Sequence, residues 1–157
     1  MSDYTAEVYV HAIAIEGEAA TRYTQLAHAM AAQGNLTAAV VFSLLAAAER
    51  RHLEALKQRT RGMALPPLDA DYTWRDAEAP ETVARDPGGA PVTQARALAL
   101  ALGAERRARA FFEQVARVRG DEQTRALALE MAAEEAEHAT LIEGMMARAQ
   151  LRQAISR

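Results

Sequence analysis

The sequence predicts an all-α protein, a four-helix bundle made of two helix hairpins joined by a long crossover connection. Half of the 157 residues are apolar but only 5% are aromatic, so a core must be built mainly from Ala, Leu, Val and Met. Such a composition favours helices. Four stretches place apolar residues at the spacing of one helix face, and the last two stretches repeat the pattern of the first two.

Capping residues and glycines set the predicted helix bounds. Gly34 and Gly62 are typical residues just after the end of a helix. Asn35, Thr93 and Asp121 are typical N-caps of the helices that follow them. The helices are therefore predicted over about residues 4–33, 36–61, 93–119 and 122–150 of a single domain spanning 1–157.

The segment of about residues 63–92 is rich in proline and glycine and is predicted to be the crossover linker. An extended chain covers up to ~3.3 Å per residue, so a linker of this length can run the full height of a bundle. The second and third helices would then be parallel.

The amino-acid composition, the net charge and the distribution of apolar residues exclude several classes of protein. There is no cysteine, which excludes disulfides, thiolate metal sites and iron–sulfur clusters. A net charge of −3 gives no reason to expect a nucleic acid or an anionic membrane as partner. The amino terminus does not resemble a signal peptide and no apolar run reaches membrane-spanning length, so we expect a cytoplasmic protein.

Two Glu-x-x-His pairs, Glu49 with His52 and Glu135 with His138, interrupt stripes that are otherwise apolar. Residues three apart share one face of a helix, so each pair directs a carboxylate and an imidazole toward one point. One such pair alone is weak evidence, because most are surface contacts. Two pairs at matching places of an internal repeat favour a buried site.

A single carboxylate also interrupts the apolar stripe of each remaining helix. Aligning the first helix with the third matches Glu16 with Glu105 and Tyr23 with Phe112. At 1.5 Å per residue, Glu16 lies roughly 27 Å from its turn, and the other three glutamates lie roughly 22 Å from theirs. All six side chains are thus expected in one layer near the middle of the bundle.

Four glutamates carry a charge that two divalent cations would neutralise, whereas an empty site would crowd four carboxylates in the protein interior. Oxygen-rich ligation with one imidazole per metal suits iron, manganese or a mixed manganese–iron pair. Glu49 and Glu135 are the expected bridging ligands and Glu16 and Glu105 the terminal ones. Tyr23 is expected near the metals, as a core residue or a candidate redox-active one.

This pattern resembles the rubrerythrin-like branch of the ferritin-like di-iron carboxylate superfamily over all four helices. The resemblance is carried by Glu49-x-x-His52, Glu135-x-x-His138, and Glu16 and Glu105 with an aromatic residue seven positions on. It implies a ferritin-like fold and a di-iron centre that reacts with peroxide or dioxygen. The chain differs from rubrerythrins proper in having no Cys₄ rubredoxin domain and in having Ala108 where they carry a further glutamate.

The expected function is that of a non-haem di-iron oxidoreductase that reduces hydrogen peroxide, or couples iron(II) oxidation to peroxide or dioxygen reduction. Turnover would require a separate electron-donor protein. The alternative is a ferritin-type iron-sequestration protein. Two further hypotheses are a metal-free helical interaction module and an oxygenase for an organic substrate. The excess of apolar residues over 38–45 predicts a homodimer.

Overall fold

The structure is a computed structural model that describes residues 3–68, 89–117 and 121–156. The described residues form four α-helices, which confirms the all-α prediction. Most of the predicted crossover linker, residues 69–88, lies outside them, as does Gly120. The helices are α1 (Asp3–Ala32), α2 (Leu36–Arg59), α3 (Gln94–Arg117) and α4 (Glu122–Ile155).

The helix ends follow from the residues that the sequence marks as caps. Gly34 adopts φ = 74°, a left-handed conformation that a residue without a side chain tolerates best. Asn35 accepts a hydrogen bond from the backbone N–H of Ala38 at the start of α2, and Asp121 does the same for Thr124 at the start of α4. The last helix extends to Ile155, beyond the predicted end near residue 150.

Side-chain hydrogen bonds define how the two hairpins, α1–α2 and α3–α4, are placed. At one end of the bundle, the Asn35 side-chain amide donates to Gln94 Oε1 at 2.8 Å, so α2 and α3 begin side by side. At the other end, the Thr5 hydroxyl donates to Asp121 Oδ2 at 2.9 Å, so α1 and α4 begin side by side. Helices α2 and α3 are therefore parallel, and the end of α2 and the start of α3 lie at opposite ends of the bundle.

The apolar core consists of two clusters. One surrounds the α1–α2 turn and includes Leu26, Met30, Phe42, Leu45, Leu98 and Ile142. The other lies toward the start of α1 and α4 and includes Val8, Ile15, Leu56, Phe112, Leu127 and Met131.

A layer of carboxylates separates these two clusters. On α1, Glu16 lies between Ile15 of the second cluster and Tyr23 of the first. On α3, Glu105 likewise lies between Leu102 of the first cluster and Ala108 of the second. Glu49 and Glu135 occupy the corresponding places on α2 and α4. The bundle thus buries four ionisable groups at mid-height, with apolar side chains above and below them, as the helix spacing predicts.

Within the described ranges, no helix combines the length and the apolar composition that crossing a membrane requires.

Candidate metal centre

Each helix contributes one glutamate to the carboxylate layer, and all four are almost completely buried. The exposed fraction is 1% for Glu16, 0% for Glu49, 2% for Glu105 and 3% for Glu135. Burying even one uncompensated carboxylate is strongly unfavourable, so four of them in one layer require compensation by positive charge or by protons.

His138 lies at the centre of a group of three of these carboxylates. Its Nδ1 atom is 2.9 Å from Glu49 Oε1, 3.7 Å from Glu105 Oε2 and 3.8 Å from Glu135 Oε2. One potential ligand atom from each of these four residues lies within 4.8 Å of all the others, a spacing that a single metal ion can span. We call Glu105 and His138 the second half-site.

His52 and Glu16 form the first half-site. His52 Nδ1 is 3.6 Å from Glu16 Oε2 and 3.7 Å from Glu49 Oε2. Glu49 therefore faces both histidines, as expected for a bridging ligand, whereas Glu135 is close to His138. The two imidazole rings are nearly parallel, with centroids 5.5 Å apart.

A fifth carboxylate approaches the first half-site from the solvent side. Glu134 Oε2 lies 3.6 Å from His52 Nδ1, and the two side chains are 30% and 22% exposed. In the second half-site, the His138 side chain is less exposed, at 11%.

Most ligand atoms of the layer face one another without hydrogen-bond geometry. Seven of its buried ligand atoms have no hydrogen-bond partner among the described residues: Glu16 Oε1 and Oε2, Glu49 Oε1 and Oε2, Glu105 Oε2, His52 Nδ1 and His138 Nδ1. Even the 2.9 Å contact between His138 Nδ1 and Glu49 Oε1 lacks hydrogen-bond geometry. Buried polar groups are normally satisfied, and lone pairs that converge in this way are the arrangement that a metal ion satisfies.

The pKa values show how protons compensate the layer when no metal is bound. Burial raises the pKa of Glu16 to about 8 and raises the pKa of Glu135 well above its ordinary value. Burial also acts to raise the pKa of Glu49, but the nearby imidazoles of His138 and His52 outweigh it and lower the pKa to about 2.

The two histidines take up protons because carboxylates surround them and raise their pKa values. The nearby carboxylates of Glu16 and Glu49 raise the pKa of His52 to about 9 against the effect of burial. Burial acts to lower the pKa of His138, but Glu105 and Glu49 outweigh it and raise the pKa to about 10. At neutral pH the metal-free layer therefore holds protons at sites that metal ions would occupy.

The structure brings together all six residues that the sequence predicts as ligands. Glu16 lies 3.6 Å from His52 but outside the two tight clusters of potential ligand atoms. The candidate residue Tyr23 reaches the layer from α1, and its hydroxyl donates a hydrogen bond to Glu105 on α3.

Sequence reasoning missed Arg22, which is only 8% exposed and lies beside Glu105. A signal was present, because Arg22 follows Ile15 by seven residues and Glu18 by four, which places all three on one face of α1.

The fold and the site together define a ferritin-like four-helix bundle with a Glu₄His₂ cluster suited to a pair of metal ions. The profile of the rubrerythrin family matches residues 7–87. The chain is also similar to an uncharacterized conserved protein from Magnetospirillum magnetotacticum MS-1 of known crystal structure, at 35% identity and a TM-score of 0.78. That match covers 91% of this chain and 93% of the other.

The chain therefore belongs to the rubrerythrin family. No curated protein matches its sequence. The family implies a di-iron centre, and the Glu/His cluster provides the donor set for one.

Proposed function

We propose that this protein is a non-haem di-iron oxidoreductase that reduces hydrogen peroxide, or couples iron(II) oxidation to the reduction of peroxide or dioxygen. The observation that supports it most directly is the set of seven buried, unpartnered carboxylate and imidazole atoms at mid-bundle. Glu49 and Glu135 would bridge the two ions, with Glu16 and His52 on one ion and Glu105 and His138 on the other. The same donors are compatible with manganese or a manganese–iron pair.

When bound, the two iron ions supply electrons: reducing one hydrogen peroxide to two waters consumes two electrons and two protons, matched by oxidation of two iron(II) to iron(III). The surrounding residues control the conditions of this reaction. The apolar clusters on either side of the carboxylate layer keep bulk water away, and Tyr23 holds Glu105 through its hydroxyl. Tyr23 is also the candidate redox-active side chain.

The chain offers no cysteine as an internal route for electrons, so repeated turnover as a peroxidase would need a separate electron-donor protein. Without such a donor, the same centre would oxidise iron(II) once and retain the product, which is the iron-sequestration alternative. We place the protein in the cytoplasm as part of this proposal.

Metal content per chain is the first test. Protein produced with iron and manganese supplied is analysed by plasma mass spectrometry, beside a Glu49→Ala/Glu135→Ala variant that lacks both bridging ligands. A matched control, Glu54→Ala/Glu143→Ala, removes one exposed glutamate from each of the same helices. We expect close to two metal ions per chain in the wild type and the control, and almost none in the bridge variant. Equal and negligible metal in all three proteins would overturn the proposal in favour of a metal-free helical module.

Loaded protein is then mixed with hydrogen peroxide under anaerobic conditions and followed by stopped-flow absorption. Oxidation of the iron with a stoichiometry near one peroxide per chain supports the oxidoreductase. The mass of the protein in solution distinguishes the oxidoreductase from an iron-storage protein, because a storage shell needs many subunits.

We propose a homodimer that uses the exposed apolar row of α2, formed by Leu36, Val40 and Leu44.

A further inference from the structure

The first half-site is the part of the metal centre that opens to solvent. The His52 side chain is 22% exposed, more than any other of the six ligands, whereas Glu16 and Glu49 beside it are 1% and 0% exposed. A metal ion arrives from water with a hydration shell, and moving an unpaired ion into a protein interior is strongly unfavourable. An ion that enters the centre therefore needs protein ligands that replace its water from the surface inward, and His52 is the outermost of the six.

Glu134 extends this row of ligands toward solvent. It lies on α4, its Oε2 atom is 3.6 Å from His52 Nδ1 on α2, and its side chain is 30% exposed. A carboxylate that keeps contact with water needs no metal ion to compensate its charge, unlike the buried Glu16. Glu134 also lies outside both tight clusters of potential ligand atoms. These properties suit a residue that contacts an ion in passing rather than one that holds it.

The Nδ1 atom of His52 connects this outer carboxylate to the buried ones. Glu16 Oε2 lies at the same distance from it, 3.6 Å, and Glu49 Oε2 lies at 3.7 Å. Among the described residues, neither the nitrogen nor these two oxygens have a hydrogen-bond partner. An ion bound to His52 can therefore exchange one carboxylate for the next without returning to water, because each new oxygen lies beside the nitrogen that already holds the ion.

A second contact between the same two helices supports the position of Glu134. One turn earlier on α4, Glu130 forms a bidentate ion pair with Arg59, which lies two turns beyond His52 on α2. Residues four apart on a helix share a face, and so do residues seven apart. Glu130 and Glu134 therefore both reach from α4 toward α2. Because Arg59 neutralises Glu130, Glu134 is the carboxylate of this pair that attracts an incoming cation.

We infer that Glu134 and His52 form an entry position, where a divalent metal ion binds briefly before it moves into the first half-site. The inference rests on the proposed metal centre and adds a residue outside the six ligands. In the metal-free protein His52 carries a proton at neutral pH, and binding of the ion displaces this proton into the adjoining solvent. The ion then keeps His52 and exchanges Glu134 for the buried carboxylates, with no redox step.

The rate of metal uptake tests this role separately from metal content. Cobalt(II) is the probe, because its visible absorption changes when carboxylate and imidazole ligands replace water, and stopped-flow mixing with metal-free protein at a fixed pH follows that change. Glu134→Gln removes the charge with almost no change of shape, and Glu134→Asp retains a carboxylate on a shorter side chain. Glu137→Gln is the matched control, since it removes the same charge from an exposed position of α4.

We expect Glu134→Gln to take up cobalt(II) about tenfold more slowly than the wild type, because charged groups that line a cleft raise association rates by at least that factor. Glu134→Asp should recover part of the rate. Glu137→Gln should differ from the wild type by less than about twofold, since salt screens exposed charges.

The final metal content should be close to two ions per chain in all four proteins. Release of the metal into an excess of chelator should slow in Glu134→Gln by the same factor as uptake. The reason is that a contact made only during passage changes both rates and leaves their ratio, the dissociation constant, unchanged.

Two results would overturn the inference alone. One is an equal uptake rate in Glu134→Gln and Glu137→Gln. The other is a lower final metal content or affinity in Glu134→Gln, which would make Glu134 a permanent ligand. A wild type that binds no cobalt(II), iron(II) or manganese(II) would overturn the proposed function as well, and the final metal content distinguishes that case from the other two.

Discussion

The Tyr23 hydroxyl on α1 donates a hydrogen bond to Glu105 Oε1 on α3, and this contact distinguishes the two half-sites. The residue that matches Tyr23 in the internal repeat is Phe112, which has no hydroxyl to offer. Accordingly, both carboxylate oxygens of Glu16 lack a partner among the described residues, whereas Glu105 has one satisfied oxygen. A near-symmetric set of ligands is thus held with unequal rigidity.

Tyr23→Phe should therefore weaken metal binding at the second half-site. Residues that orient metal ligands typically contribute about ten- to a hundredfold to affinity, and we expect a loss in that range for one of the two ions. Competition with a chromophoric chelator measures it. Tyr9→Phe is the matched control, since Tyr9 is a buried tyrosine of α1 in the second apolar cluster. Unchanged affinity for both ions in Tyr23→Phe would show that the hydrogen bond does not position Glu105 for binding.

The stability of the metal-free protein should fall as the pH rises from about 5 to 9. Glu16 keeps its proton up to a pKa of about 8 in the folded chain but loses it near its ordinary value of 4.5 when unfolded. The folded state therefore binds more protons over this interval, and stability declines with pH. The stability contributed by His52 and His138 is complete below their ordinary pKa of 6.5 and is lost toward pH 9 to 10, in the same direction.

Calorimetric melting in the presence of a chelator, between pH 5 and 9, measures this slope. The increase in Tm caused by manganese(II) should grow over the same interval, because metal ions compete with protons for these ligands. In Glu16→Gln/Glu135→Gln, which cannot lose those protons, the slope of the metal-free protein should become shallower. A metal-free Tm that rises between pH 6 and 8 would contradict the assigned proton positions.

Asp121 should stabilise the bundle at the end where α1 and α4 begin. Its Oδ1 accepts from the Thr124 backbone N–H at 2.8 Å, and its Oδ2 accepts from the buried Thr5 hydroxyl at 2.9 Å. Asp121→Ala removes an N-cap and a tie between two helices, so we expect a loss of about 1–3 kcal/mol in unfolding free energy. Asp121→Asn, which can still cap α4, should lose less. Chemical denaturation measures the unfolding free energies. An Asp121→Ala protein as stable as the wild type would show that the cap and the hydrogen bond to Thr5 do not stabilise the bundle.

The exposed apolar row of α2 should be a dimer contact. Val40 and Leu44 are 58% and 60% exposed and lie one helical turn apart. Val40→Glu/Leu44→Glu should convert a dimer into a monomer in size-exclusion chromatography with light scattering, because it places charge in an apolar interface. Leu129→Glu is the control, since it alters a similarly exposed leucine on α4. A monomeric wild type, or the same mass for all three proteins, would contradict the homodimer.

The parts of this structure that the sequence predicts are those determined by helix periodicity. The positions of Glu16, Glu49, Glu105 and Glu135 along their helices follow from spacing and turn residues alone, because helical rise is constant. The Glu-x-x-His spacing likewise places His52 and His138 on the faces of their glutamates. Asn35 and Asp121 as caps follow from local hydrogen-bonding chemistry.

Contacts between helices are less accessible from sequence, because they depend on helix rotation and side-chain rotamers. Spacing along α1 suggests that Tyr23 is a neighbour of Glu16, yet its hydroxyl contacts Glu105 on another helix. The approach of Glu134 to His52 depends on how α4 is rotated toward α2. Arg22 is charged and therefore suggests an exposed position, and only the packing of α1 against α3 buries it.

Each hairpin contains half of the ligands: Glu16, Glu49 and His52 in the first, and Glu105, Glu135 and His138 in the second. Neither hairpin alone holds a complete set for two ions, so the centre is formed where the two halves of the chain meet. Metal ions bound there would link the halves much as a bound ligand links two subunits. The metal content of the centre would then show whether the two hairpins are docked. A variant that weakens the contact between the hairpins should therefore lose metal before either hairpin unfolds.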